Sequence, residues 1–220
     1  MDIWLDTTNI QQVHKAVRTG LLSGVTTNPT LIAQAERGLE EVLEDLLHHQ
    51  EGPVTAQVVS DDTFEMVQQG QTLYSLSNRL IIKIPLTKNG LEAVHLLSRQ
   101  GIPTMATVVF QPRQALMAAL AGANYVAPYL GRMEKAGIDP WAGLQNILHL
   151  FQNYRLKTKV LGASLQTVDQ VMKCAAAGIY GVTVKDDLFD KLIDDDAMTL
   201  KAVEKFTEDW KGVKTPLFAS

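Results

Sequence analysis

The run LIIKIPLT sets a lysine, Lys83, between isoleucines in a stretch of strand-forming residues. Alternation along an extended chain puts Leu80, Ile82 and Ile84 on one face and Ile81 with Lys83 on the other. Lysine is almost never buried without a purpose. Burial disfavours the ammonium and leaves a free amine, which can attack a carbonyl. The resulting iminium is an electron sink for making or breaking a C–C bond. An ion pair across a barrel, with Asp6 as partner, suits the same position, and the residues alone leave the two readings level.

Other polar residues stand at the ends of similar runs. Asp6 ends the first run; Thr26 and Asn28 lie in GVTTNP at the end of the second. Asp6 can equally cap the next helix, and Thr-Thr-Asn-Pro is good turn chemistry with Pro29 near a helix start. Gln57 in TAQVV and Thr107 in MATVV are inward-facing polar residues that must be hydrogen-bonded if buried. Tyr129 and Arg132 follow the sixth run in YVAPYLGR, and Ser164 follows the seventh in LGAS. The eighth ends in Lys185, in GVTVKDD, where alternation gives Thr183 and Lys185 one face.

What positions these residues is an alternation of short β-rich runs with longer helical stretches. The eight strand candidates are Ile3 to Leu5, Gly24 to Thr26, Val54 to Val59, Leu80 to Ile84, Thr104 to Val108, Tyr125 to Ala127, Lys159 to Gly162 and Gly181 to Val184. Helical periodicity marks Leu31 to His48, Thr63 to Leu76, Leu91 to Arg99, Pro112 to Ala121, Trp141 to Phe151, Thr167 to Ala176 and Ala197 to Trp210. Gly24, Gly52, Gly101, Gly122 and Gly178 stand before apolar runs and read as helix C-caps and turns into strands. Eight such units predict an α/β fold, a single (β/α)8 barrel over residues 1–220 with a C-terminal helix and tail. An open doubly wound sheet is disfavoured, since no Gly-rich dinucleotide fingerprint or P-loop follows a strand. In such a barrel the chemistry belongs on inward-facing positions toward the C-terminal ends of the strands, where several of the residues above stand.

In that order and at similar spacing, Asp6, GVTTNP, AQV around Gln57, IIKIP around Lys83, GIPTMAT ending at Thr107, ANYVAPYLGR and LGAS resemble one family. It is the small transaldolase-like family of class I aldolases that includes fructose-6-phosphate aldolase. The resemblance runs essentially from end to end and takes in FTEDW around Trp210. It implies that Lys83 forms the Schiff base. It implies that Asp6 and Asn28, with Thr26 in the same turn, hold substrate hydroxyls, Asp6 also assisting proton transfer. Gln57 and Thr107 match a pair that positions a catalytic water; Arg132 and Ser164 match residues that bind the distal phosphate, a role that suits a guanidinium fork. The transaldolase branch typically has glutamate in place of Gln57 and phenylalanine in place of Tyr129. A tyrosine can deliver a proton to the enamine where phenylalanine cannot, so Tyr129 reads as the general acid/base and the chain as an aldolase, with a transaldolase as the alternative.

Two positions depart from the family. Gln166 stands where Lys or Arg is usual, and Lys185 where the aldolases have an apolar residue. Lys185 either restores the charge missing at Gln166 or pairs with Asp186 or Asp187.

The remaining features narrow the setting. Formal net charge is −4 without basic runs, which argues against a nucleic-acid partner. MDIWLDTT lacks the basic head and apolar stretch of a secretory signal, and no window approaches the roughly 18 apolar residues of a membrane span, so a cytoplasmic location is expected. Cys174, the one cysteine, falls in MKCAAAG, which favours a buried helix position over a reactive thiol. The histidines lack metal-ligand spacing, and no metal or cofactor is expected. Apolar Pro216, Leu217 and Phe218 on the tail require cover, either from the barrel or from a neighbouring subunit. The resemblance implies a sugar or sugar-phosphate substrate and a homo-oligomer, pentamer or decamer, in which the C-terminal segment crosses to a neighbour.

Overall fold

Each β-rich run carries side chains that must be buried on both faces, a condition met when parallel strands close on themselves and helices cover the outside. A computed structural model of the chain describes residues 1–213 and has that form. The elements are β1 (Asp2–Asp6), α1 (Ile10–Thr19), β2 (Leu22–Thr26), α2 (Pro29–Gln34), α3 (Leu39–His48), β3 (Val54–Gln57), α4 (Thr63–Leu76), β4 (Leu80–Pro85) and α5 (Lys88–Arg99). They continue with β5 (Thr104–Val109), α6 (Pro112–Leu120), β6 (Tyr125–Pro128), α7 (Leu130–Lys135), α8 (Pro140–Asn153), β7 (Lys159–Gly162), α9 (Val168–Ala176), β8 (Gly181–Val184), α10 (Asp186–Leu192) and α11 (Ala197–Lys211). Neighbouring strands pair in chain order, and β8 returns to β1, so the protein is a (β/α)8 barrel.

The core divides at the barrel wall. Outward-facing Leu5, Val25, Val54, Ile82, Ile84, Val126 and Val182 pack under the helices. Inward-facing Trp4, Ile81, Met105, Tyr125, Ala127, Leu161 and Ala163 form a separate cluster on the axis, with the Trp4 and Tyr125 rings edge to face at 5.7 Å. Trp4 is 1% exposed, and truncating such a ring to alanine costs about 3–5 kcal/mol. Two positions further along the same strand faces come Asp6 after Trp4, Lys83 after Ile81, Thr107 after Met105 and Tyr129 after Ala127. The apolar plug thus sets the depth at which the polar residues begin.

Several expectations change in detail. Leu31 to His48 is two helices, α2 and α3, because Glu36 adopts a left-handed φ of 52° and Gly38 caps a fresh start. The third strand stops at Gln57, leaving Val59 exposed. Gly101, Gly122 and Gly178 have positive φ as helix-ending glycines do, but Gly24 and Gly52 do not. Gly24 lies inside β2, where a Cβ would stand 2.8 Å from the Trp4 ring, and one at Gly52 would meet the Ser23 carbonyl oxygen at 2.3 Å. Those two are required by close approach rather than by a cap.

Cys174 is buried on α9, and burial pushes its thiol up to about 12. Among the described residues no helix is long and apolar enough to cross a membrane. The tail residues Pro216, Leu217 and Phe218 lie outside the described residues.

Candidate active site

At the C-terminal end of the barrel a cavity of ≈ 590 Å³ opens above the apolar plug. Eight of the ten residues singled out in the sequence line it: Asp6, Asn28, Gln57, Lys83, Tyr129, Arg132, Ser164 and Lys185. Thr26 and Thr107 stand behind the wall, both 0% exposed, and act on residues that do line it.

Lys83 projects from the middle of β4, level with Gln57 on β3. It is 5% exposed, and Nζ donates a hydrogen bond to the backbone carbonyl of Thr27 at 2.9 Å. No carboxylate stands within ion-pair distance of Nζ among the described residues, so the pairing with Asp6 is not made. Burial pushes the Lys83 ammonium below the usual lysine range; the charge of Asp6 opposes this, and that of Arg132 adds to it. A neutral carbonyl partner leaves the nitrogen free to lose its proton.

Asp6 at the end of β1 accepts from Thr26 Oγ1 at 2.8 Å and from Asn28 Nδ2 at 3.4 Å. It does not cap the helix that follows, because Asn9 does so. Asn28 serves in two directions. Its Oδ1 accepts from Leu31 N at 3.1 Å, capping α2, while its amide nitrogen faces Asp6. The capping reading and the site reading of Asn28 are therefore both realised, because an amide has an acceptor and donors to divide between them.

On the opposite wall Thr107 Oγ1 donates to Tyr129 Oη at 3.1 Å. With that contact filled by the threonine proton, the phenol proton remains free for the cavity. Phe110 packs edge-on against the Tyr129 ring at 5.7 Å, and the Arg132 guanidinium lies 4.7 Å from its centroid. Backbone strain collects at the same rim: Val108 and Ser164, both lining the cavity, have φ of 59° and 63°. A β-branched residue in that region is disfavoured, and such strain concentrates at functional sites.

At the outer end, Lys185 lines the cavity and makes no ion pair among the described residues. Asp187 pairs with Lys191 at 3.6 Å, and Asp186 accepts from Thr7 Oγ1 at 3.1 Å. The pairing of Lys185 with either aspartate is absent. Gln166 turns its amide nitrogen onto the carbonyls of Ser164 and Leu165, at 3.1 and 3.0 Å. Sequence reading missed Lys135 on α7, a third cation on the wall beside Arg132 and Lys185. No run or alternation marks it, since α7 has only six residues. Thr183 also lines the wall, and its face was legible from alternation with Lys185.

A closed parallel barrel with a polar cavity at the C-terminal mouth and a buried lysine in its wall defines the class: a (β/α)8 protein with an enzyme-like site. The chain belongs to the transaldolase/fructose-6-phosphate aldolase family, whose pattern it matches over residues 3–217. It is 41% identical, over 97% of this chain and 98% of the other, to a probable transaldolase of Coprothermobacter proteolyticus. A probable transaldolase of a Hydrogenobaculum species is 38% identical over 99% of this chain and 100% of its own. Among solved structures, a mandelate oxidase variant with an FMN monooxide adduct aligns with a TM-score of 0.57 at 14% identity. That alignment covers 84% of this chain and 63% of the oxidase, a likeness of fold alone.

Proposed function

We propose that the protein is a Schiff-base aldolase that forms or cleaves the C–C bond between dihydroxyacetone, or a related hydroxyketone, and an aldehyde such as glyceraldehyde 3-phosphate. The single observation that carries this reading is the hydrogen bond from buried Thr107 to Tyr129, which leaves a phenol proton free in the cavity that holds Lys83.

The Lys83 amine adds to the ketone carbonyl and water leaves, giving an iminium. Asp6 takes the proton of the hydroxyl beside the breaking bond, the aldehyde leaves, and the bonding electron pair remains as an enamine. Tyr129 protonates the enamine carbon, directly or through a water held with Gln57, and hydrolysis of the new iminium frees the ketone and the amine. Thr107 supports the water site through Tyr129, since it stands behind the wall. Asp6 and Asn28 hold the substrate hydroxyls at the Lys83 end, and Thr26, behind the wall, acts through its hydrogen bond to Asp6. Arg132, Ser164, Lys185 and Lys135 lie where a phosphate meets the mouth.

A transaldolase, which retains the three-carbon unit until an acceptor aldose arrives, is the second reading, and the names of the relatives favour it. Product analysis separates the two. An aldolase releases free dihydroxyacetone from fructose 6-phosphate without an acceptor. Turnover that requires an acceptor aldose would establish the second reading. Borohydride inactivation in the presence of either ketone tests Lys83, and an enzyme that survives it sinks both.

We further propose a homo-oligomer, with α11 seated on a neighbouring copy; no residue of α11 is buried on its own barrel.

A further inference from the structure

At the Lys83 end of the cavity hydrogen bonds join a carboxylate and two threonine hydroxyls that stand on three adjacent strands, β8, β1 and β2. Thr26 Oγ1 lies 2.8 Å from Asp6 Oδ1 and 2.6 Å from Thr183 Oγ1. The line is built by barrel register. β1 pairs with β2 on one side, Asp6 opposite Thr26, and with β8 on the other, Thr183 opposite Trp4. Both hydroxyls are buried, Thr26 fully and Thr183 at 7% exposure.

Counting protons gives the line a direction. A hydroxyl has one proton to donate, and an ionised carboxylate can only accept. The Thr26 proton goes to Asp6, so the short contact between the threonines must be filled by the proton of Thr183. The order Thr183 to Thr26 to Asp6 is thereby fixed, and each bond polarises the next. Without the donation from Thr183, the Thr26 hydroxyl is free to rotate, and Asp6 Oδ1 depends on the longer 3.4 Å contact from Asn28.

We propose that Thr183 is a positioning residue for Asp6, acting through Thr26 to hold the carboxylate oriented for proton transfer at the Lys83 Schiff base. The proposal rests on the Schiff-base reading above, and its test separates the two. Thr183→Val keeps the shape and removes the donor. Expected is a fall in kcat of about tenfold, the worth of one hydrogen bond in a polarised chain, with KM changed less than about twofold. Thr183→Ser keeps the donor and should restore kcat to within about twofold of wild type. Thr26→Val should cost a similar factor, and the Thr26→Val/Thr183→Val double variant no more than either alone, because the hydroxyls act as one chain.

An unchanged kcat in Thr183→Val, a serine variant as impaired as the valine, or losses that multiply in the double variant overturns the proposal. If a valine variant fails to fold, Thr183→Ala against Thr183→Ser reads the same difference. Borohydride trapping of the wild type with dihydroxyacetone is run alongside. An untrapped wild type removes the Schiff-base reading, whereas a trapped wild type with Thr183 variants of full kcat removes only the role of Thr183.

Discussion

Lys83 Nζ meets the backbone carbonyl of Thr27 at 2.9 Å, and its partner is therefore neutral. A carboxylate there would hold the ammonium charged. A carbonyl satisfies one N–H without opposing the loss of a proton, while burial drives that loss.

Stability and activity should part at this residue. Because the Lys83 ammonium is pushed down in the folded protein, the unfolded chain binds more protons there between the lowered value and the ordinary lysine range, and folding is penalised wherever the buried group must stay charged. The penalty is fully present well below the lowered folded value and fades as pH rises toward the usual range near 10.5. Lys83→Met should raise the melting temperature at neutral pH, by the equivalent of about 1 kcal/mol, while abolishing borohydride-trappable activity. A lower melting temperature would show that the Thr27 bond outweighs the burial cost. In the wild type, the rate of trapping should fall as pH drops through the lowered value, since only the free amine attacks.

Tyr129→Phe removes the acceptor for a threonine hydroxyl that is 0% exposed, leaving a buried donor unsatisfied. The cost in stability should be about 1–2 kcal/mol, read from denaturant melts. Cleavage of fructose 6-phosphate should slow by at least about 100-fold, the scale of a general acid/base contribution, while transfer to an added aldose is retained. Thr107→Val should move the product ratio the same way but less, because it disturbs the phenol without removing it. An unaltered ratio in Tyr129→Phe would remove Tyr129 from the proton-delivery role.

The cations at the mouth should distinguish substrates by charge. Lys185 and Lys135 line the cavity and make no ion pair among the described residues, so both are free for an anionic group. Lys185→Ala should raise KM for glyceraldehyde 3-phosphate by about 5- to 10-fold and leave KM for glyceraldehyde nearly unchanged, as loss of one charged hydrogen bond predicts. Lys135→Ala should act in the same direction, and as an exposed cation its effect should shrink as salt is added. Equal effects on both aldehydes would show that the lysines shape the mouth rather than hold a phosphate.

Positions fixed by strand alternation were legible from the residues. Lys83, Asp6, Gln57 and Tyr129 reach the cavity because the apolar plug below them obeys the same period, and Trp4, Ile81 and Met105 mark it in the sequence. Partners across the barrel were not legible. That Lys83 meets Thr27 rather than Asp6, or that Thr107 meets Tyr129, depends on which rotamers fit above the plug, and no local pattern encodes that. Asn28 could be read as cap or as ligand because both need the same amide, and only three dimensions show it doing both. Lys135 was invisible because a six-residue helix shows too little of its period to assign a face.

The C-terminal helix supplies the last prediction. α11 is 15 residues long, yet none of them is buried, and Leu200, Val203, Phe206 and Trp210 recur at helical spacing with Phe206 67% exposed. An isolated helix of that length is marginal in water, and its stability in proteins comes from packing an apolar face. Among the described residues, its own barrel leaves that stripe exposed. The closed symmetry of homo-oligomers offers every copy the same cover, each helix seated on the next barrel of a ring. Light scattering of the wild type should therefore give an oligomer. Phe206→Asp combined with Trp210→Asp should shift it to smaller species and lower the melting temperature in a concentration-dependent way, since assembly stabilises by mass action. A monomeric wild type, or an aspartate variant that keeps both its mass and its melting temperature, would show that the stripe is not an interface between copies.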